Sequence, residues 1–329
     1  MSDLSRRAIL ALLGSGACLP ASVPSAWAQS AWPPVTLVVP FPPGGSTDAL
    51  GRLLALGAQQ RLGTSVIVEN KAGAMGSIGS AQVAHGNPDG SIFLVTFDSH
   101  ATIPALIEKP PLDVERDLEP VLLVGTAPYV VVANPSRGFN TFADVIAAAK
   151  RTPGAVTYAS AGPGTIGHLA MVLLGKQAGA TMTHVPYKGS GPAINDAVAG
   201  HVDLMTASVA ILLPQIEAGR LKALMQMGPR RADALKNVPT AVESGFPGFE
   251  ASAWWGVFAP KGTPPAILAR ASAAFSDVLR QDTVSRQLRE TQQIDLTLEG
   301  PERLKKFLDR QIEVWGAVIR ENNIKAQSS

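Results

Sequence analysis

Hydrophobic residues in this chain follow two alternating rhythms. Short β-branched runs over 35–39 (VTLVV), 65–68 and 92–96 read as strands, and apolar residues three and four apart over 49–62 and 78–85 read as helices. Asn87-Pro88-Asp89-Gly90 supplies a turn. A strand-like passage then covers 121–124 and 129–133, broken at Pro128, and a helix over 141–151 starts with Thr141 and Asp144 in capping positions. The rhythm repeats, with strands over 156–159, 183–185, 202–205 and 221–225 and helices over 165–178 and from Pro192 to Ala199. A further strand-like crossing spans 250–259. Three helices close the chain over 264–280, 283–291 and 301–323, the last with Leu304, Phe307, Leu308, Ile312, Trp315 and Ile319 on one stripe. Strands alternating with helices predict an α/β fold of largely parallel sheets.

A chain of this length exceeds the usual single core, so two domains are expected. The three terminal helices need a sheet to cover, and the first strands have few covering helices of their own. Residues 29–125 and 249–329 are therefore expected to form domain I, with 126–248 as domain II. The chain would then cross between them twice, and two crossings make a hinge.

The N-terminus adds a destination. Arg6 and Arg7 precede the apolar run 8–13, and Ala26-Trp27-Ala28 fits a small-x-small cleavage site, which reads as an export signal over 1–28. Ser5-Arg6-Arg7-Ala8-Ile9-Leu10 resembles the twin-arginine type, and the Sec route stays open beside it. The expected localisation is the periplasm. The only cysteine, Cys18, lies in this leader, so the mature chain would carry no disulfide and no thiolate metal site. Losing Asp3, Arg6 and Arg7 lowers the formal net charge of +2 by one, too balanced for a phosphate-backbone binder. No later apolar run approaches the roughly 20 residues that span a bilayer. Nucleic acid and direct membrane insertion of the mature chain are both set aside, and a monomer is expected.

Two loops carry the chemistry. Residues 35–57 run from a strand through Phe41, Pro42, Gly44 and Gly45 into a helix, where Ser46 and Thr47 can cap and free amides can face an anion without any Lys or Arg. The construction recurs over 155–170, where Ala161, Gly162, Pro163 and Gly164 precede a helix that Thr165 can cap. Two such mouths suggest a clamp on one carboxylate. The competing reading takes these glycines simply as turn residues needing positive φ. Asp48 is awkward beside an anion and is better read as bracing the helix start. His168, one turn into the second helix, is placed to donate to a carboxylate or to pack. Ser99 and His100 follow a strand end, Ser208 follows another, and Trp254 and Trp255 lie in the second crossing. His85, His184 and His201 share no spacing and read as structural.

Catalytic patterns are missing. There is no Gly-x-Ser-x-Gly, the GGSTD loop lacks the lysine of a phosphate-binding loop, and its glycine pair lacks the third spaced glycine of a dinucleotide fingerprint. No metal cluster emerges. Binding without chemistry, with no cofactor, is the expectation.

The segments PFPPGGSTD, ENKAGAMGSIGS, NPDG, SHATIPAL, YASAGPGTIGHL and VPYKGSGPAINDAVAGHVDL, in this order across the mature chain, resemble the solute receptors of tripartite tricarboxylate transporters, the Bug family. The resemblance implies a two-lobed, type II periplasmic-binding-protein fold with two crossover strands. It also implies a ligand carboxylate held by backbone amides in the two mouths, a second-lobe wall that includes Tyr187, and delivery to membrane permease subunits. A signalling partner in the membrane is the alternative destination. Members commonly have Gly where this chain has Met75, Asn at Ser77 and Asn at Ile103. Met75 and Ile103, with Phe41 and Phe97, would make the first wall apolar and suit an aromatic or otherwise apolar acid. The competing reading turns Met75 and Ile103 into packing residues.

Overall fold

The computed structural model describes residues 32–325; Arg6, Arg7, Cys18 and the cleavage site at 26–28 lie outside them. The first elements are β1 (Val35–Val39), α1 (Ser46–Leu62), β2 (Val66–Asn70), α2 (Ser77–Ala84) and β3 (Ile92–Phe97), with β1 parallel to both β2 and β3. A short α3 (Ile103–Leu106) leads to the long β4 (Leu118–Ala133). Next come α4 (Phe142–Arg151), β5 (Thr157–Ser160), α5 (Ile166–Ala178), β6 (Thr183–Pro186) and α6 (Ser190–Ala199). β7 (Leu204–Ser208), α7 (Val209–Glu217) and β8 (Lys222–Gln226) complete this set, in which β5 is parallel to β6 and β7. Finally β9 (Ser252–Pro260), α8 (Pro265–Leu279), α9 (Asp282–Gln292), β10 (Asp295–Glu299) and α10 (Pro301–Glu321) close the chain.

β4 is where the two sets meet. From Leu118 to Pro128 it runs antiparallel to β9, which in turn borders β3; from Tyr129 to Ala133 it runs antiparallel to β7 and β8. The order is β2-β1-β3-β9-β4-β7-β5-β6, with β8 and β10 added at β4. The sequence predicted a break at Pro128, and the structure corrects this to one continuous strand. Proline lacks a ladder donor, and here it stands at the last pairing with β9, the one point where β4 changes partners and a missing N–H is tolerated.

Period-two alternation on β9 sends its tryptophans to opposite faces. Trp254 and Phe258 pack with Leu304 and Leu308 of α10, and Trp255 and Val257 face the larger core. The α10 stripe is buried at Leu304, Leu308, Trp315 and Ile319, giving the sheet the cover its early elements lack.

Two elements escape the pattern. α7 is apolar on nearly every side and carries Pro214 inside it, so it shows no stripe. β10 is a five-residue strand, DLTLE, whose alternation is a single short run lodged between two helices, and its register shifts against β4.

Candidate binding site

The parallel strands β1 and β5 each release the chain at their carboxyl ends into loops that open helices, and β3 and β7 pass directly into helical turns, at the place where open α/β sheets take ligands. After β1 the loop carries Phe41 half-buried, with Pro42, Gly44 and Gly45 exposed. α1 begins at Ser46 with Gly45 as its cap residue, in extended backbone and without any side-chain cap bond. Ser46 and Thr47 therefore do not cap, which corrects the sequence expectation; both lie within the helix. No acceptor in the described chain meets the amides of Gly45, Ser46, Thr47 or Asp48, the next amide, Ala49 N–H, being the first to bond back, to Gly45 O. Four open donors on a helix start form an anion-favouring edge with no cation in it.

Asp48 holds that edge from beneath. Its Oδ2 accepts from Gly44 N–H at 2.9 Å and from Arg52 Nε at 2.9 Å, and its Oδ1 accepts from Asn70 Nδ2 at 2.9 Å. Asn70 Nδ2 also donates to Phe41 O at 3.2 Å, tying the end of β2 to the loop. Burial alone would push the Asp48 carboxyl up, but the hydrogen bonds and the Arg52 charge outweigh it and hold the group below the usual carboxylate range. Arg52 and Asn70 were not singled out from the sequence. The first is legible as an i,i+4 partner of Asp48, while the second lies 22 residues away and no local signal points to it.

The second mouth is built the same way and finished differently. Gly162 N–H donates to Ser160 Oγ at 3.2 Å, Gly164 N–H donates to His168 Nδ1 at 3.1 Å, and Thr165 N–H reaches Gly162 O at 3.4 Å. Thr165 stands in the cap position of α5, yet its hydroxyl donates to Gly162 O at 2.7 Å and caps nothing. Ala161 O accepts from Gly189 N–H at 3.1 Å. The amides left open are those of Ile166, Gly167 and His168. His168 is buried, and burial, helped by the neighbouring His184, lowers its pKa to about 3, so it stays a neutral ring. A cationic His168 gripping a carboxylate is thus not what the structure provides.

The two sets touch beside this mouth. A Cβ on Gly164 would fall 2.4 Å from Leu106 Cδ1 of α3, and Tyr129 OH donates to Asp98 Oδ2 at 2.9 Å across the change of ladder in β4. Burial pushes the Asp98 carboxyl up to about 7 against the lowering by hydrogen bonds from Tyr129 and the Ser99 amide.

The first wall is aromatic. Phe41 meets Phe97 edge-on at 6.4 Å, and Phe97 lies against Trp255 at 5.1 Å. Met75 is half-buried against the same cluster and sits at φ 58, between Ala74 at φ 43 and Gly76 at φ 92. Left-handed backbone is where glycine is at ease, a physical reason for the glycine common at position 75 in the family that the sequence resembles. Ile103 is fully buried among Val38, Leu94 and Leu123, so its place in the wall is corrected to core packing. Ser77 is fully buried with its hydroxyl unpartnered, and His100 is buried against Phe258, away from solvent. Ser99 stays half-exposed, its hydroxyl making a long 3.5 Å contact to Met75 O.

In the other set, Ser208 is buried at the start of α7 without capping it. Tyr187 OH is tied to Asp196 Oδ2 at 2.6 Å, and burial together with that bond raises its pKa to about 12. A cavity of about 330 Å³ between Thr126, Pro128, Arg230, Arg231 and Arg289 shares no residue with either mouth, and Arg230 and Arg231 are paired with Asp295 and Glu243. No group of three or more His, Cys, Asp or Glu fit to hold a metal occurs among the described residues.

Comparison with known proteins places these features in context. Residues 50–324 match the model of the tripartite tricarboxylate transporter family receptor. A Pseudomonas sp. (strain P51) protein, the UPF0065 protein in the tcbD-tcbE intergenic region, is 37% identical over 99% of this chain and 97% of its own length. BugT of Bordetella pertussis is 36% identical, covering 89% of this chain and 90% of BugT. Among solved structures, Rpa4515 of R. palustris with adipate superposes with a TM-score of 0.77 at 30% identity, covering 88% of this chain and 97% of the other. MatC (Rpa3494) of Rhodopseudomonas palustris with bound malate gives a TM-score of 0.73 at 31% identity, covering 87% and 98%.

Proposed function

Because this chain belongs to the tripartite tricarboxylate transporter family of receptors and has the fold of periplasmic binding proteins of that type, we propose that it captures a small, amine-free carboxylate between two lobes. It then delivers the closed form to membrane permease subunits, without chemical turnover. The lobes are 29–125 with 249–329, and 126–248. The leader ending near Ala28 carries the chain to the periplasm. The observation that carries the reading is the edge of four open amides from Gly45 to Asp48, an anion seat at the carboxyl end of β1.

The finer choice of ligand follows from what surrounds the seat. Asp48 has its oxygens taken by Gly44, Arg52 and Asn70, leaving no strong acceptor for a ligand ammonium group. Phe41, Phe97 and Met75 supply apolar surface beside it. The relatives solved with adipate and with bound malate each hold an aliphatic diacid. The preference proposed for this chain lies on the apolar side of that range, toward aromatic or otherwise apolar acids, adipate among them, and away from short polar diacids such as malate, and it rests on Met75 standing where glycine is common. Ligand contacts in the second mouth come from the open α5 amides. Closure needs both, because contact with one lobe alone binds open and closed states equally.

Thermal unfolding with a panel of aliphatic dicarboxylates, tricarboxylates, acidic amino acids and benzene carboxylates tests this. A binder at about 100 times its Kd adds roughly 2.7 kcal/mol of stability. Benzene carboxylates and adipate should rank above succinate and citrate, and acidic amino acids should rank last. Glutamate or aspartate at the head would overturn the amine-free assignment, and citrate above every apolar acid would overturn the wall.

A further inference from the structure

Between β5, β6 and the start of α5 two histidines lie face to face. The rings of His168 and His184 have centroids 3.9 Å apart and planes 16° from parallel, and Tyr158 of β5 stacks on His184 at 5.0 Å. One ring bonds a glycine of the second mouth directly and the other reaches a second glycine through Ser160. His168 Nδ1 accepts the Gly164 amide at 3.1 Å. His184 Nε2 lies 2.7 Å from Ser160 Oγ, which accepts the Gly162 amide at 3.2 Å and donates to Gly162 O at 3.1 Å.

We propose that the stacked His168–His184 pair is the positioning element of the second mouth, holding Gly164 directly and Gly162 through Ser160 so that the open amides of α5 face the ligand at a fixed angle. The inference rests on the reading of that loop as part of a carboxylate seat and adds to it the residues that set its shape.

Three features carry it. The Gly164 N–H can bond only to an unprotonated Nδ1, so the ring must be neutral to do its work. Two neutral rings can stack at this distance, whereas two charged ones would repel. The titratable groups facing His168 are His184 from β6 and Tyr158 from β5, and burial lowers His168 and His184 to about 3 and about 4. Neither ring touches the ligand in this scheme. Their effect on affinity passes through the two glycines.

Substitutions separate acceptor from ring. His168→Asn keeps an oxygen where Nδ1 stands and loses the stack; His168→Phe keeps the ring and loses the acceptor. Hydrogen exchange of the Gly164 amide in the unliganded full chain should be slow in the wild type and His168→Asn and fast in His168→Phe. Titration with adipate and with benzoate should show about a tenfold loss for His168→Phe, the scale of one hydrogen bond, with most of it recovered in His168→Asn. Nitrogen-15 spectra should show both imidazoles neutral at pH 6.

Equal affinity in His168→Phe and wild type, or equal loss in both variants, would overturn the proposal, as would a fast-exchanging Gly164 amide in the wild type. A wild type that binds neither acid would count against the ligand assignment and leave the exchange result to decide the histidine pair.

Discussion

The two mouths share a grammar of strand, glycines and helix, and they differ in what their glycines are for. In the first, Gly44 and Gly45 are exposed; a Cβ on Gly44 meets nothing within 4 Å, and one on Gly45 has Pro42 O at 4.0 Å as its nearest neighbour. In the second, Gly164 is buried at φ 76, and a Cβ there would strike Leu106 Cδ1 at 2.4 Å. Both helix starts keep open amides, Ser46 to Asp48 in the first mouth and Ile166 to His168 in the second, but of the glycine amides only Gly45 is open, Gly44 being bonded to Asp48 and Gly162 and Gly164 to Ser160 and His168. The first mouth keeps space and donors for something outside the chain. The second uses its glycines to let two parts of the protein come together.

The sharpest way to break this contrast is Gly45→Asp. Backbone at φ −80 suits any residue, and the space around is open, so the fold should hold within about 0.5 kcal/mol as for other surface changes. A new carboxylate about 5 Å from a bound one in an effective dielectric near 20 repels it by roughly 3 kcal/mol, about a hundredfold in affinity. Titration with the acid that leads the stability panel, beside a melting curve, measures both. Unchanged affinity in a folded variant would remove the first mouth from the site.

Alanine at the two glycines sharpens the structural half. Gly164→Ala faces left-handed backbone, at about 1–2 kcal/mol, and a contact with Leu106 that costs about 1–3 kcal/mol where it cannot relax. We expect a net loss of about 2–3 kcal/mol in urea unfolding, against less than about 0.5 kcal/mol for Gly45→Ala. Adding Leu106→Ala to Gly164→Ala should cost less than the two separate losses combined, because the smaller side chain makes room for the new methyl. Strict additivity would mean that the 2.4 Å approach is not what makes Gly164 a glycine.

How much of this the sequence shows depends on how local the cause is. β1, the loop and α1 are legible because one rhythm gives way to another within 20 residues, and Asp48 reads as a brace because a carboxylate beside an anion seat has few other uses. Thr141 and Asp144 form the capping box that their spacing announces. The continuity of β4 through Pro128 is hidden, since proline's meaning depends on which partner strand ends there. Ile103 and Met75 look alike as apolar replacements of polar or small residues; only the turn of α3 into the core separates the first from the second. His168 and His184 are 16 positions apart and meet because β6 is laid beside β5, a pairing that no periodicity within either segment records.

Acidification distinguishes the mouths by a smaller margin. Burial lowers His168 from the ordinary 6.5 to about 3, so below pH 6.5 the unfolded chain takes a proton that the folded ring refuses. Stability contributed by the neutral ring is therefore present above pH 6.5 and is lost as pH falls toward 3. His100 and His184, lowered to about 3 and about 4, act in the same direction. Asp98 opposes them: with its folded pKa raised to about 7 from 3.8, the folded chain carries a proton that the unfolded chain lacks, and its contribution to stability grows as pH falls through 7. Burial raises Glu250 in the same sense as Asp98, and three rings against these two carboxyls should leave the wild type less stable at pH 5 than at pH 7. Asp48, held below its ordinary value, stays ionised over that interval, so the first mouth adds nothing to the slope. His168→Asn removes one refused proton and should flatten the dependence of stability on pH between 6.5 and 5 by roughly 1 kcal/mol per pH unit, read from urea midpoints at half-unit steps. A slope unchanged by His168→Asn would mean that the ring protonates freely in the folded chain, and then it could not be the fixed acceptor of the Gly164 amide.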